Sequence, residues 1–341
     1  MRIIVDAMSG DNAPLEILRG VFSADSEYNA NFILVGDREI IERTARDEGY
    51  DISRFSIVHT DTVISMEDDP ICVVRAKKDS SMSTALRLLA EGEGDVAVSA
   101  GNTGALFTGA SLIVRKIRGV QRAAIGSILP FSPPVMLLDS GANLVVTEEN
   151  LMQFAIMGST YMRNYYNLEN PRVGLLNNGT EDCKGTELRV SAYKVLSGCD
   201  KINFVGNVEG NQVQFDVCDV LVTDGFCGNI FLKCVEGMGK MVMGELKSLF
   251  KASPMSMMSA VMVKSKLKDI KRRYDPTEYG GAPILGISKP VIKAHGSSNA
   301  KAFKSAIRQA IACVDTGITY DIAKDAEYFR AVRQAENQSK E

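Results

Sequence analysis

The stretch SAGNTGALFTGA, residues 99–110, decides the fold. Just before it, Asp95-Val96-Ala97-Val98 is short, apolar and valine-rich, as a buried strand is. Within it and just after it, Ala105, Leu106, Ala110, Leu112 and Ile113 recur at helical spacing. A strand therefore runs into a helix through a corner of two glycines, an asparagine and a threonine.

The same alternation extends outward in both directions. Residues 2–5, 31–35, 55–58, 95–98, 135–139, 172–176, 202–205 and 219–223 read as buried strands. Amphipathic helices fall between most of them, as at 14–27, 38–48 and 148–163. This predicts a mostly parallel sheet with helices on both faces, a three-layer α/β/α Rossmann-like arrangement. Residues 1–334 read as one catalytic domain, with 129–135 the candidate joint if there are two lobes. Two successive helices over 228–274, broken at Ser253-Pro254, form an inserted hairpin, and 335–341 is a polar tail. No repeat or low-complexity tract is evident.

Composition narrows the function. With 45% hydrophobic and 24% charged residues and a net charge of −3, the chain of 341 residues is ordinary globular protein and carries no nucleic-acid signature. Seven scattered cysteines, odd in number and without a CxxC pair, predict reduced thiols in a cytoplasm. Two histidines, His59 and His295, and no paired cysteines argue against a metal centre. No signal peptide or membrane-spanning run is expected.

Chemistry collects in the corners. DAMSGDNAP, SAGNTGA, DSGAN, NNGTEDCKG, TDGFCGN and KAHGSSNAK each follow a strand or probable strand and lead into a helix. Each mixes glycine with Asn, Asp, Ser or Thr, residues that serve ordinary turns and helix caps as well. Six such corners on one edge of a parallel sheet point to a ligand beyond the strand ends. A helix start offers unpaired N–H groups and partial positive charge, and glycine lets the backbone approach closely. Gly101, Asn102, Thr103 and Gly104 thus read as a cradle for phosphate or carboxylate. The P-loop, GxGxxG and GxSxG patterns are absent.

Taken in order, DAMSGDNAP, VISMEDDP with RAKKDSSM, SAGNTGAL, LLDSGAN, LLNNGTEDCKG, VTDGFCGN, EYGGAPILG and IKAHGSS resemble the motifs of the PlsX-type phosphate acyltransferases over nearly the whole chain. Three positions depart from the usual pattern. Ser9 stands in place of glycine, Ser140 in place of an aliphatic residue, and Asn12 in place of histidine. The resemblance implies a fold similar to phosphotransacetylases and to isocitrate or isopropylmalate dehydrogenases. It implies transfer of a long-chain acyl group from acyl carrier protein to inorganic phosphate, with no cofactor. The acyl phosphate would feed phospholipid synthesis, with a glycerol-3-phosphate acyltransferase downstream. A homodimer bound peripherally to the membrane is also implied. A phosphotransacetylase using acyl-coenzyme A is the alternative, and a nicotinamide-dependent dehydrogenase or a non-catalytic membrane scaffold are further ones.

Such a reaction needs phosphate held near the carbonyl, donors for an oxyanion and exclusion of water. Asn102, Thr103 and Gly104 would hold phosphate or oxyanion, and Lys184 would neutralise charge unless it is an ordinary surface lysine. Asn229 is an amide donor to the carbonyl or a helix cap. Asp139, with Asn143 beside it, and Asp224, with Gly225, orient donors or cap turns. Gly179, Thr180 and Glu181 share the Lys184 corner. His295 would protonate the leaving thiolate or is a hydrogen-bonded turn histidine, and Gly296, Ser297 and Ser298 add donors.

The hairpin carries a separate signal. Phe231, Val235, Met238, Met241, Val242, Leu246 and Leu249 mark one apolar face, expected in the core or at a dimer interface. Beyond it lies MSMMSAVMV, with Met255, Met257, Met258 and Val261, followed by Lys264, Lys268, Arg272 and Arg273 in a basic stem. This segment suits an anionic membrane surface, an acidic carrier protein or a dimer mate.

Overall fold

The computed structural model describes residues 1–273 and 276–338. Eleven strands form one sheet in the order β3-β2-β1-β4-β11-β10-β5-β6-β9-β7-β8. The strands are β1 (Arg2–Asp6), β2 (Asn31–Gly36), β3 (Ser56–His59), β4 (Val96–Ser99), β5 (Ala124–Leu129), β6 (Val135–Leu138), β7 (Arg172–Asn177), β8 (Asn203–Glu209), β9 (Val220–Val222), β10 (Ala282–Leu285) and β11 (Val291–Lys293). All eight runs read from the sequence are strands. β11 is the probable strand before KAHGSSNAK, and β5 and β10 are additional; both are weak as patterns, since Gly126 and Ser127 interrupt β5, while β10 has four residues and is followed by Gly286.

These two strands organise the sheet. β3, β2, β1, β4 and β11 are mutually parallel. β6, β9, β7 and β8 form a second parallel block. Between the blocks, β11–β10, β10–β5 and β5–β6 are all antiparallel. Three reversals leave the blocks running in opposite senses, so the six corners do not share one edge as the sequence suggested. Three follow β1, β4 and β11, and three follow β6, β7 and β9. Sheet twist of roughly 20–25° per strand pair turns the direction by about 80–100° over the four steps from β11 to β9. The two sets of carboxyl ends are thereby swung toward each other.

The described residues form eleven helices, most of which cover the sheet: α1 (Leu15–Asp25), α2 (Arg38–Asp47), α3 (Ser81–Glu91), α4 (Thr103–Gly109), α5 (Glu148–Tyr166), α6 (Glu187–Ser197), α7 (Gly225–Lys251), α8 (Pro254–Met262), α9 (Lys264–Arg273), α10 (Ala300–Asp315) and α11 (Ile318–Gln338). Alternation in the strands splits the core. Ile3 and Val5 join Met136, Val173 and Val222 in a continuous layer under α1, α5, α10 and α11. Ile4 and Ala97 face α3 and α4 on the other side, with Met82, Leu86 and Leu106. On that second side the other block has only a small cluster around Leu137 and Leu221, against which Phe231 and Leu232 of α7 rest.

α7 then leaves the body. Only Gly225 and Gly228 of its 27 residues are buried, while Met238, Met241, Val242 and Leu249 are largely exposed. Beyond the first turns α7 is met by α8, which follows it, and most of its apolar face is not core of this chain. Gly228 is pinned: a Cβ there would lie 1.9 Å from the Asp139 carbonyl oxygen. Gly228→Ala should lower unfolding free energy by about 1–3 kcal/mol through overpacking, read as a shift in the urea midpoint. An unchanged midpoint would show that α7 is not seated on the Asp139 corner.

Candidate active site

The three corners of the first block interlock through main chain. Gly10, at φ +115°, packs on Ala100 and on the Gly296 carbonyl. Asp11 donates its N–H to that carbonyl at 2.9 Å, and the Asn12 amide donates to the Ser297 and Ser298 carbonyls at 3.3 Å each. The asparagine that replaces the family's usual histidine thus binds this corner to the next.

Asn102 is spoken for. Its Oδ1 caps α4 by accepting from the Ala105 N–H at 3.0 Å. Its Nδ2 reaches the carbonyls of Ser65, Met66 and Asp68 at 3.2, 3.0 and 3.2 Å. No polar atom of the side chain is left for a phosphate, so any contribution here falls to Thr103, which is exposed, and to main-chain amides. The expected ligand role of the Asn102 side chain gives way to a latch between the corner and the 65–68 loop.

His295 retains a free edge. The Ser297 N–H donates to Nδ1 at 3.2 Å, and the Ser297 hydroxyl lies 2.9 Å from the same atom. Nδ1 is therefore the acceptor and Nε2 carries the proton in the neutral ring. Partial burial pushes the imidazole below its ordinary value, and the ammonium groups of Lys233, Lys293 and Lys240 push the same way against Glu236. Ser298 is buried, its N–H bonded to the His295 carbonyl at 3.0 Å.

The second block is built alike. Asp139, fully buried, accepts the N–H groups of Ile125, Gly141, Ala142 and Asn143 and the Asn143 amide, at 2.7–3.2 Å. Burial pushes its carboxyl up while these donors pull it back. Asn143 donates its second amide hydrogen to the Ala123 carbonyl at 2.7 Å. Asp224 caps α7 through the Cys227 N–H at 2.9 Å and pairs with buried Arg189, which also holds the Thr223 hydroxyl. Gly225 donates to the Asn143 carbonyl at 2.7 Å. Asp139, Asn143 and Asp224 thus hold the corners in shape by capping turns and a helix, the second of the two roles weighed for the carboxylates.

The third corner of this block surrounds Lys184. Asn177 donates to the Lys184 carbonyl at 3.0 Å, and Asn207 to the Glu181 carbonyl at 2.7 Å. Gly179 is buried because a Cβ would meet the Lys184 and Glu181 side chains. Thr180, Glu181 and Lys184 face solvent, and Lys184 makes no ion pair among the described residues. Asn229 is exposed, does not cap a helix, and lies against the Gly141 corner, its Oδ1 3.8 Å from where a Cβ would stand.

α7 joins the two sets. It starts on the Asp139 corner, carries Asn229, and one turn later presents Lys233, whose charge acts on both His295 and Lys293. Sequence reasoning missed Lys233, Lys293 and Arg189. Lys233 stands four residues after Asn229 and so shares its helix face, and Lys293 lies within the IKAHGSS motif. Only Arg189, at the first turn of α6, lacked a signal. Beside the second-block corners opens a cavity of about 360 Å³, lined by Leu144, Val145, Val146, Leu188, Asp224, Phe226 and Cys227. Among the described residues no His, Cys, Asp and Glu side chains gather as a metal site would need.

Fold comparison places this architecture. The chain superposes on a phosphotransacetylase from Streptococcus pyogenes with a TM-score of 0.64 over 92% of this chain and 94% of that one, at 14% identity. The architecture is that of an α/β protein of the phosphotransacetylase fold. The sequence goes further. Residues 1–320 match the family described as fatty acid synthesis protein. A phosphate acyltransferase from Thermoanaerobacterium thermosaccharolyticum is 42% identical over 96% of this chain and 97% of its own length. Another from Acetivibrio thermocellus is 45% identical over 93% and 94%. The chain belongs to this family, the PlsX family that its motifs resemble.

Asn102→Ala tests the latch. It should lower unfolding free energy by about 1–2 kcal/mol through the lost cap. Protease cleavage within the 65–68 loop should rise with it. Lost activity with unchanged stability and loop protection would instead make the side chain a substrate ligand.

Proposed function

We propose that this phosphate acyltransferase takes a long-chain acyl group from the thioester of acyl carrier protein and passes it to inorganic phosphate, yielding acyl phosphate for phospholipid synthesis. The observation that carries the phosphate part is the gathering of Lys233, Lys240 and Lys293 about His295, with Glu236 the opposing charge. Lys233 is exposed and paired with Glu236 at 3.2 Å, whereas Lys293 is buried without an ion pair among the described residues, a charge that an anion would balance.

Phosphate is already largely dianionic near neutral pH and needs little activation. One of its oxygens attacks the thioester carbonyl carbon, the carbon–sulfur bond breaks, and the phosphate hydroxyl proton ends on the departing thiolate. His295, with Nε2 protonated, is suited to donate a hydrogen bond to the departing sulfur as that proton arrives. Lys184 and the Asn229 amide, free of other partners, would stabilise the oxyanion, an effect worth about 10²–10³ in rate. The apolar cavity beside Asp224 offers space for the acyl chain. A phosphotransacetylase acting on acyl-coenzyme A remains the second reading, favoured by the likeness of fold alone.

Peripheral membrane contact and a homodimer belong to the same proposal. Met255, Met257, Met258 and Met262 are 75%, 56%, 66% and 83% exposed on α8, and Lys264 and Lys268 follow on α9. The side chains of Val261, Arg272 and Arg273, read as part of this surface, lie outside the described residues. Among the described residues no helix is long and apolar enough to cross a membrane. The exposed apolar residues of α7 would suit a second copy.

Acyl phosphate formation from palmitoyl carrier protein and phosphate is the direct test, with palmitoyl-coenzyme A assayed in parallel. Lys184→Ala should cut turnover about 100-fold while the thermal transition stays in place. Preference for the coenzyme A thioester would overturn the donor assignment. Full turnover by Lys184→Ala would remove that residue from the site. Met257→Asp with Met258→Asp should release the protein from anionic liposomes and leave turnover without lipid intact. Retained liposome binding would exclude insertion of this tip.

A further inference from the structure

One of the three lysines near His295 is buried, and the scheme above gives it no step of its own. Lys293 closes β11, opposite Ser99 of β4 on one side and Ala282 of β10 on the other. Its side chain is 7% exposed. Nζ donates to the Ala100 carbonyl at 3.4 Å and to the Ala294 carbonyl. These carbonyls open the Asn102 corner and the His295 corner. An ammonium group has three hydrogens, and among the described residues the third has neither a hydrogen-bond nor an ion-pair partner.

The ground beneath it is polar too. Asp6 is fully buried and accepts from the Ser99 hydroxyl at 2.6 Å through Oδ2. The buried hydroxyls of Ser9 and Ser81 and the Met8 N–H turn toward the same carboxylate. Ser9 is also the neighbour that a Cβ on Gly101 would strike, at 2.8 Å. A fully buried carboxylate and a buried ammonium without an ion pair each cost stability that apolar residues of equal size would not. Their concentration under two glycine corners marks a site rather than a scaffold.

We propose that Lys293 is the positioning charge of the anion site: its ammonium clamps the Asn102 corner to the His295 corner and balances the phosphate dianion that those corners hold. The inference rests on the phosphate reading given above. Burial pushes Lys293 down to about 8, with Lys233 of α7 acting the same way and Asp11 and Asp6 opposing. His295, on the same motif, is the other titrating neighbour. β4 and β10 bring no titratable side chain, and α10 turns Ala302, Phe303 and Ala306 inward. Above pH 8 the free protein therefore releases this proton, and a bound dianion calls it back.

Calorimetric titration of the full chain with inorganic phosphate, in two buffers of different ionisation enthalpy, reads this directly. Wild type should take up close to one proton per phosphate at pH 9 and almost none from Lys293 at pH 7. Its dissociation constant, counted per dianion, should rise about tenfold between those values. Lys293→Arg keeps the charge and should lose both effects. Lys293→Met should bind weakly throughout. Absence of proton uptake by wild type at pH 9 overturns the proposal, whatever the variants do. So does a wild-type pH dependence in a folded Lys293→Arg. Failure of phosphate to bind at any pH, with no acyl phosphate formed, would instead overturn the phosphate reading and this inference with it.

Discussion

The whole arrangement depends on one reversal in the sheet. Two parallel blocks cannot face their strand ends toward each other if they run in the same sense within a flat sheet. β10 and β5 invert the second block, and the natural twist does the rest. α7 can then rise from the carboxyl end of β9 and bring Lys233 into the field of His295 and Lys293. A glycine at position 228 lets that helix sit on the Asp139 carbonyl, which fixes where its next two turns travel.

Within the corners, most of the polar residues stabilise the corners themselves. Asp139 collects five N–H donors, Asn102 latches a neighbouring loop, and Asp224 caps α7 while holding Arg189. A turn rich in Asn, Asp and Gly is as a rule self-satisfying, because its own backbone must be paired before it can serve a ligand. The groups left over are few and differ in kind: the Lys184 ammonium, the Asn229 amide and Nε2 of His295. Their freedom from partners among the described residues is what the proposed chemistry draws on.

Much of this was legible in the sequence. The eight strands with valine-rich runs announced themselves, as did the corners between strand and helix. What escaped was set by long-range geometry. β5 and β10 are too short or too interrupted by glycine to show a period, yet they fix the sense of half the sheet. The apolar stripe of α7 reads as core by spacing alone, whereas the chain offers nothing to cover Met238 or Met241. Lys293 looks like any lysine at the end of a strand. Only the surrounding β4, β10 and α10 reveal that it is buried, and no local pattern encodes them.

The place of β11 has a bearing on how the chain reaches this state. A three-residue strand from the last fifth of the sequence lies between β4 and β10, at the seam of the two blocks. Until it arrives, β4 is an open edge, and α1 waits for α10 to cover it. The amino-terminal block of a growing chain on the ribosome is thus unfinished until Val291–Lys293 has emerged. Completion of the sheet and creation of the cleft become a single late event, so a chain that stops short has neither.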